Sequence, residues 1–183
     1  MIMLLEKAQS LLLLVDVQEK LLPAIDAGNE LENAAAWAMQ VALQLGVPVL
    51  ATEQYPQGIG HTTQKLAELL PEQGVISKLS FSAWREPLFK QRLEQSQRHQ
   101  IIIMGTEAHV CVLQTALDLI SAGYQVFILI EAVGSRQQAH RAQALARMDQ
   151  AGAVLINKEM LAFEWLERSD TEVFRTIHRG WIR

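Results

Sequence analysis

The chain predicts an α/β domain built on a mainly parallel sheet, with helices on both faces. Three observations carry this. Short apolar runs recur along the sequence, they do not alternate with polar residues, and a helical stretch separates each from the next. The runs are Leu11–Val15, Val47–Ala51, Ile101–Met104, Val126–Ile130 and Ala153–Ile156, with Val75-Ile76 as a weaker sixth. Unbroken apolar strands suit a sheet buried on both faces.

The helical stretches follow in order. Asn29 to Leu45 is rich in Ala, Leu, Met and Gln, and Gly46 supplies its C-cap. Glu86 to Gln97 places Leu88, Phe89 and Leu93 at helical spacing. Val112 to Ala122 stops at Gly123, and Gln137 to Ala151 stops at Gly152. The tail, Leu161 to Arg183, reads as one or two helices. Its Trp165, Phe174 and Trp181 are expected to pack either on the core or on another subunit. With no repeat, low-complexity segment or flexible linker, residues 1–183 read as one domain with a helical tail from about residue 158.

Composition narrows the function classes. The chain has 183 residues, 50% hydrophobic and 20% charged, with a net charge of -4. No basic surface for nucleic acid is indicated. The arginines between Arg136 and Arg147 read as a solvated helix face. A single cysteine makes no intrachain disulfide, which fits a reducing compartment. No apolar stretch approaches the roughly 20 residues of a membrane span. The expected location is cytoplasmic, with no membrane partner.

Functional groups in an open parallel sheet gather at the carboxyl ends of the strands. Asp16 follows the first run, Glu53, Gln54 and Tyr55 the second, Lys78 the weak one, and Cys111 the run at 101–104. Cys111 falls at a strand-to-helix transition, where free backbone N–H groups and the helix dipole favour thiolate. An acid, a base and a thiol thus project toward one rim, and together they suit covalent hydrolysis. Asp16 takes the thiol proton, Cys111 attacks an electrophilic carbon, and Lys78 holds the carboxylate. Backbone N–H groups of Glu107 and Cys111 are the candidate oxyanion donors. With Asp16 as proton acceptor, Asp16→Asn is expected to slow alkylation of the thiol. Each residue also has a plainer role: a buried apolar cysteine, a capping aspartate, a solvated lysine.

Tyr55, Phe81 and Trp84 offer an apolar wall for a small substrate, with ordinary core packing as the alternative. His109 is placed at the pocket mouth or in the first helical turn, and Gln18, two residues after Asp16, is counted with the pocket. His99, His140 and His178 read as surface residues. Gly58-Ile-Gly60 is only a fragment of a phosphate-binding pattern and follows the wrong strand.

Three segments, Leu-Leu-Val-Asp16-Val-Gln18, Ser77-Lys78-Leu-Ser-Phe81-Ser-Ala and Gly105-Thr-Glu-Ala-His-Val-Cys111-Val, resemble the isochorismatase-like cysteine hydrolase superfamily over roughly residues 8 to 160. Thr52-Glu-Gln-Tyr-Pro-Gln-Gly-Ile-Gly60 further resembles its isochorismatase-domain-containing subgroup. The resemblance implies a three-layer α/β/α fold on a six-stranded parallel sheet, and a triad of Asp16, Lys78 and Cys111. It also implies a cis peptide at Thr106–Glu107, which would turn the Glu107 N–H toward the oxyanion, and assembly into homo-oligomers. Nicotinamidases of the superfamily bind a metal through an Asp-x-His loop and further histidines. This chain has Glu53-Gln54-Tyr55 there, with only His61 nearby, so no metal and no other cofactor is expected. Isochorismate-cleaving members typically lack the cysteine. The expected activity is metal-independent hydrolysis of a small-molecule amide or ester through an acyl-thioester. The alternatives are an isochorismatase-type ether hydrolase, a non-catalytic interaction protein on the same fold, and a phospho-acceptor or flavin-binding module, for which the acid cluster is missing.

Overall fold

The computed structural model describes residues 4–182. Six parallel strands form one sheet in the order β3-β2-β1-β4-β5-β6. They are β1 (Ser10–Val15), β2 (Val49–Gln54), β3 (Val75–Lys78), β4 (Gln100–Thr106), β5 (Gln125–Gly134) and β6 (Val154–Ile156). Eight α-helices occur among the described residues: α1 (Gly28–Leu45), α2 (Pro56–Ile59), α3 (Gln64–Ala67), α4 (Pro87–Ser96), α5 (Leu113–Ser121), α6 (Gln138–Gln150), α7 (Lys158–Leu166) and α8 (Glu172–Ile177).

The unbroken apolar runs have a direct structural cause. Successive strand residues point to opposite faces, and both faces are covered. Leu12, Leu14, Ile102 and Met104 lie in a core shared with α1, α7 and α8. Leu11, Leu13, Ile101 and Ile103 lie in a second core under α4, α5 and α6. Small residues on α1, among them Ala34, Ala35, Ala38 and Ala42, are buried against the first core. Gly46 ends α1 at φ 69°, a conformation that favours glycine.

The tail packs on its own chain. Trp165 is fully buried and donates from Nε1 to Ser10 Oγ at 2.9 Å, tying α7 to the first strand. Trp181 donates to Gln40 Oε1 at 3.0 Å, and its carbonyl accepts from Trp37 Nε1 at 2.6 Å. Phe174 is partly buried on the same core. Arg183 lies outside the described residues.

Some boundaries differ from the expected ones. The second strand starts at Val49 rather than Val47 and continues through the polar Thr52-Glu53-Gln54, because pairing with β1 and β3 extends that far. The fifth strand runs on to Gly134, past a register shift opposite Ile103–Gly105. The helix after Cys111 starts at Leu113, preceded by a π-helical turn over Ala108–Val112.

One glycine fixes how closely β1 and β4 approach. Gly105 pairs with Val15 at φ 140°, and a Cβ there would sit 2.0 Å from the Val15 carbonyl oxygen. No side-chain rotation relieves a clash with backbone. Gly105→Ala is therefore expected to cost more than about 3 kcal/mol or to prevent folding altogether. Urea denaturation monitored by tryptophan fluorescence checks this, and an unchanged midpoint would contradict it.

Candidate active site

The strand order locates the site. From β1 the chain steps outward to β2 and β3, then crosses back to β4 on the other side of β1. The switch point falls between β1 and β4, where the two loops leave in opposite directions and open a crevice. Asp16 follows β1 directly, at φ 52°. Such a conformation is uncommon for a residue with a side chain and is held by its surroundings. The Asp16 N–H donates to the Thr52 carbonyl at 3.1 Å, and Thr106 Oγ1 donates to the Asp16 carbonyl at 2.6 Å. Lys78 is the last residue of β3, and Gln54, the last of β2, lies between it and β1.

These elements bring three remote ionisable side chains together. Lys78 Nζ lies 2.8 Å from Asp16 Oδ2, with both side chains fully buried. The ammonium donates to Gln54 Oε1 at 2.6 Å, to the Phe81 carbonyl at 2.9 Å and to the Ser80 carbonyl at 3.2 Å. An ammonium has three hydrogens, and these three acceptors use them. Asp16 Oδ1 accepts from Thr52 Oγ1 at 2.8 Å. Asp16 Oδ2 is thus held by charge, while no directed hydrogen bond occupies its lone pairs.

The Cys111 thiol is close enough to this pair for both charges to act on it, and its Sγ lies 3.9 Å from Gln54 Oε1. Burial, reinforced by the Asp16 carboxylate, pushes the thiol up to about 12, against the opposing pull of Lys78. The expectation that the helix start favours thiolate is corrected accordingly. The cysteine occupies the π turn ahead of α5, and desolvation there outweighs the helix end. The resting sulfur carries its proton.

The peptide between Thr106 and Glu107 is trans, since no cis bond occurs among the described residues. The chain leaves β4 through Glu107, at φ -36° and ψ 107°, into the π turn over Ala108–Val112. The cis bond expected to turn the Glu107 N–H toward an oxyanion is therefore absent. The Cys111 N–H stays as the candidate donor.

A cavity of about 400 Å³ opens on the thiol. Asp16, Gln54, Phe81, His109 and Cys111 line it, together with Leu21, Ile59 and Val110. Gln18, Tyr55 and Trp84, expected in the pocket, lie outside its lining. Gln18 is fully buried beneath the loop after β2: it donates to the Gln54 and Gly60 carbonyls at 3.0 and 2.6 Å and accepts from the Gln54 N–H at 2.8 Å. Tyr55 takes φ 39°, is 52% exposed, and its ring covers Gly58 of its own turn. Trp84 stacks edge-on against Tyr124 at 5.5 Å, beneath the Lys90 ammonium.

The far wall holds residues that sequence reasoning missed. Arg136, read as part of a solvated face, donates from Nε to Glu107 Oε1 at 2.5 Å. His140, read as a surface residue, lines the cavity and packs at a 42° tilt on His109 with ring centroids 4.7 Å apart. Their common feature is position after the fifth and longest strand, whose carboxyl end also faces the crevice.

His61 Nδ1 meets Glu53 Oε2 at 3.0 Å, and Glu53 Oε1 accepts from the Thr62 N–H and hydroxyl. Glu53 is thereby committed to holding its loop. No cluster of three or more His, Cys, Asp or Glu side chains with metal-binding geometry occurs among the described residues.

Comparison with known proteins agrees with this architecture. The family model described as Isochorismatase domain matches residues 10–160. Isochorismatase domain-containing protein 2A of Mus musculus is 38% identical over 173 residues, covering 93% of this chain and 81% of that protein. The structure of MAR1 ribonuclease from Caenorhabditis elegans superimposes with a TM-score of 0.92 at 33% identity, covering 99% of this chain and 93% of that one. The YcaC protein of Escherichia coli, described as an octameric hydrolase of unknown specificity, superimposes with a TM-score of 0.90 at 27% identity, covering 97% and 90%. With its fold and most of its length matching, the chain belongs to the isochorismatase family.

Proposed function

We propose that this protein is a metal-independent cysteine hydrolase that cleaves a small-molecule amide or ester through a covalent thioester. The observation that carries the reading is the buried Asp16–Lys78 pair at 2.8 Å, whose Oδ2 takes no hydrogen bond, lining the same cavity as the Cys111 thiol. A sulfur that rests as a thiol needs a base at the moment of attack, and Asp16 Oδ2 is that base. The proton passes from Sγ to Oδ2 as the carbon–sulfur bond forms. The Cys111 N–H supports the developing oxyanion. Asp16 then returns the proton to the leaving nitrogen or oxygen, and the carbon–heteroatom bond breaks. A water, deprotonated by the same carboxylate, attacks the thioester, and the departing sulfur regains a proton. Lys78 fixes the carboxylate throughout.

The cavity volume and the net charge of -4 favour a small substrate over RNA, the substrate class named for the C. elegans relative. The octameric E. coli neighbour supports assembly of this chain into a homo-oligomer. Among the described residues no helix is long and apolar enough to cross a membrane, and the lone cysteine suits a reducing compartment such as the cytoplasm.

Incubation with a panel of small amides and esters, followed by intact-mass analysis, is expected to reveal an acyl adduct on Cys111. Cys111→Ala is expected to form no adduct and to lose turnover by about 10³-fold or more while keeping its unfolding midpoint. Full turnover by that variant would contradict the covalent mechanism.

Alkylation by iodoacetamide tests the proton. With a thiol near 12, the wild-type rate is expected to rise about tenfold per pH unit from neutral pH upward, following the thiolate fraction. Asp16→Asn removes the carboxylate that disfavours thiolate and leaves Lys78 beside the sulfur. Iodoacetamide reacts with preformed thiolate and its halide leaves without a proton, so it reads the resting acidity and not the base step; Asp16→Asn is therefore expected to lose turnover yet to alkylate faster than wild type at neutral pH, the opposite of the sequence-based expectation. A slower variant, or a wild-type rate already at plateau near neutral pH, would contradict the geometry.

A further inference from the structure

Polar residues surround the cavity beside Cys111, yet the surface it presents to a ligand is nearly all apolar carbon. Their polar atoms are committed elsewhere. Gln54 accepts from Lys78 through Oε1 and donates from Nε2 to the Leu79 carbonyl. Glu107 Oε1 accepts from Arg136, and its Oε2 lies beneath the surface, out of a ligand's reach. His109 Nδ1 pairs with Ser135 Oγ at 2.9 Å, and His140 Nδ1 is buried. Arg136 and Gln137 lie exposed at the rim, in water. The accessible wall is left to Leu21, Ile59, Phe81 and Val110. Leu21, Ile59 and Phe81 come from three separate loop segments and belong to neither hydrophobic core of the sheet. Phe81 is 53% exposed. Apolar side chains that serve no core and converge beside a thiol have a ligand as their natural partner.

We infer that the cavity selects an uncharged amide or ester whose apolar body lies against Leu21, Ile59, Phe81 and Val110, and that it excludes ionised substrates. The inference rests on Cys111 as the reacting atom and names the substrate class for that chemistry. Asp16 is offset by Lys78 and Glu107 by Arg136, so no surplus charge faces an ionised ligand. A charged group entering this space loses its water and gains no partner. An apolar group gains by displacing water from carbon surface, so recognition follows the number of methylenes buried. At about 400 Å³ the cavity lies toward the small end of the range for ligand sites, which limits the body to a short chain.

The test uses N-substituted chloroacetamides at one mildly alkaline pH. The sulfur forms its bond to the methylene carbon as chloride leaves, so labelling needs no hydrolysis. With a single cysteine in the chain, intact mass reads the adduct on Cys111. Methyl, ethyl, propyl and butyl reagents are compared with the N-(2-carboxyethyl) and N-(2-trimethylammonioethyl) reagents, each rate being divided by that of the same reagent with 2-mercaptoethanol. From methyl to butyl this ratio is expected to rise about fourfold per methylene, and both charged reagents are expected to fall at least about tenfold below butyl. Ile59→Glu, outside both cores, is expected to keep its unfolding midpoint, to lower the gain per methylene and to raise labelling by the trimethylammonioethyl reagent. A flat alkyl series in the wild type would overturn the inference. So would preference for either charged reagent, an unchanged series in Ile59→Glu, or no labelling by any reagent that 2-mercaptoethanol consumes. A rising series without an acyl adduct from any amide or ester would sustain this inference and contradict the hydrolysis proposed above.

Discussion

The site depends on one buried ion pair. Asp16 and Lys78 come from strands separated by β2, and each has its charge removed from water. Burying either alone costs several kcal/mol, and their mutual attraction repays this only with good geometry and further hydrogen bonds. Those bonds are present: Thr52 on one carboxylate oxygen, and Gln54 with two loop carbonyls on the ammonium. The pair is therefore also a structural clasp. It draws the ends of β1, β2 and β3 and the loop at 80–81 into one arrangement, against which Cys111 is set.

That arrangement settles an apparent conflict in the sulfur's surroundings. A lysine and a helix start argue for a thiolate, while burial and a carboxylate argue for a thiol. Desolvation is the largest influence, and the carboxylate adds to it, so the proton stays on sulfur. A resting thiol is a poor nucleophile, which protects a lone cysteine from adventitious oxidation or alkylation. Because the ammonium's hydrogens are spent on oxygens other than Asp16 Oδ2, that oxygen is left free for the role of base proposed for it.

The fold and the central residues were legible in the sequence for one reason. Residues at strand ends need no knowledge of packing to be placed on a common rim, and Asp16, Lys78 and Cys111 are all strand-end or turn residues. The remaining wall was not legible. Arg136 and His140 follow β5, yet their neighbours Gln137, Gln138 and Arg141 give the segment the composition of a solvated helix. Only the approach of the β4 turn, which brings in Glu107, makes it a pocket wall. Tyr55 and Gln18 were misplaced by a different effect. Backbone conformation at Tyr55 turns its ring onto Gly58, and Gln18 is consumed by backbone amides and carbonyls of the same loop. Neighbours in sequence do not record which way a left-handed turn throws a side chain. The cis bond expected after Gly105 came from family resemblance, and here a trans bond leads from the strand into the π turn.

The protonation state of the sulfur is the claim on which the account stands. Ultraviolet difference absorbance of the thiolate, taken between the wild-type protein and Cys111→Ala across pH, reads that state without substrate or reagent. The account predicts no thiolate signal through the neutral range, with the titration step displaced far toward the value of about 12. A full thiolate step below neutral pH would contradict it.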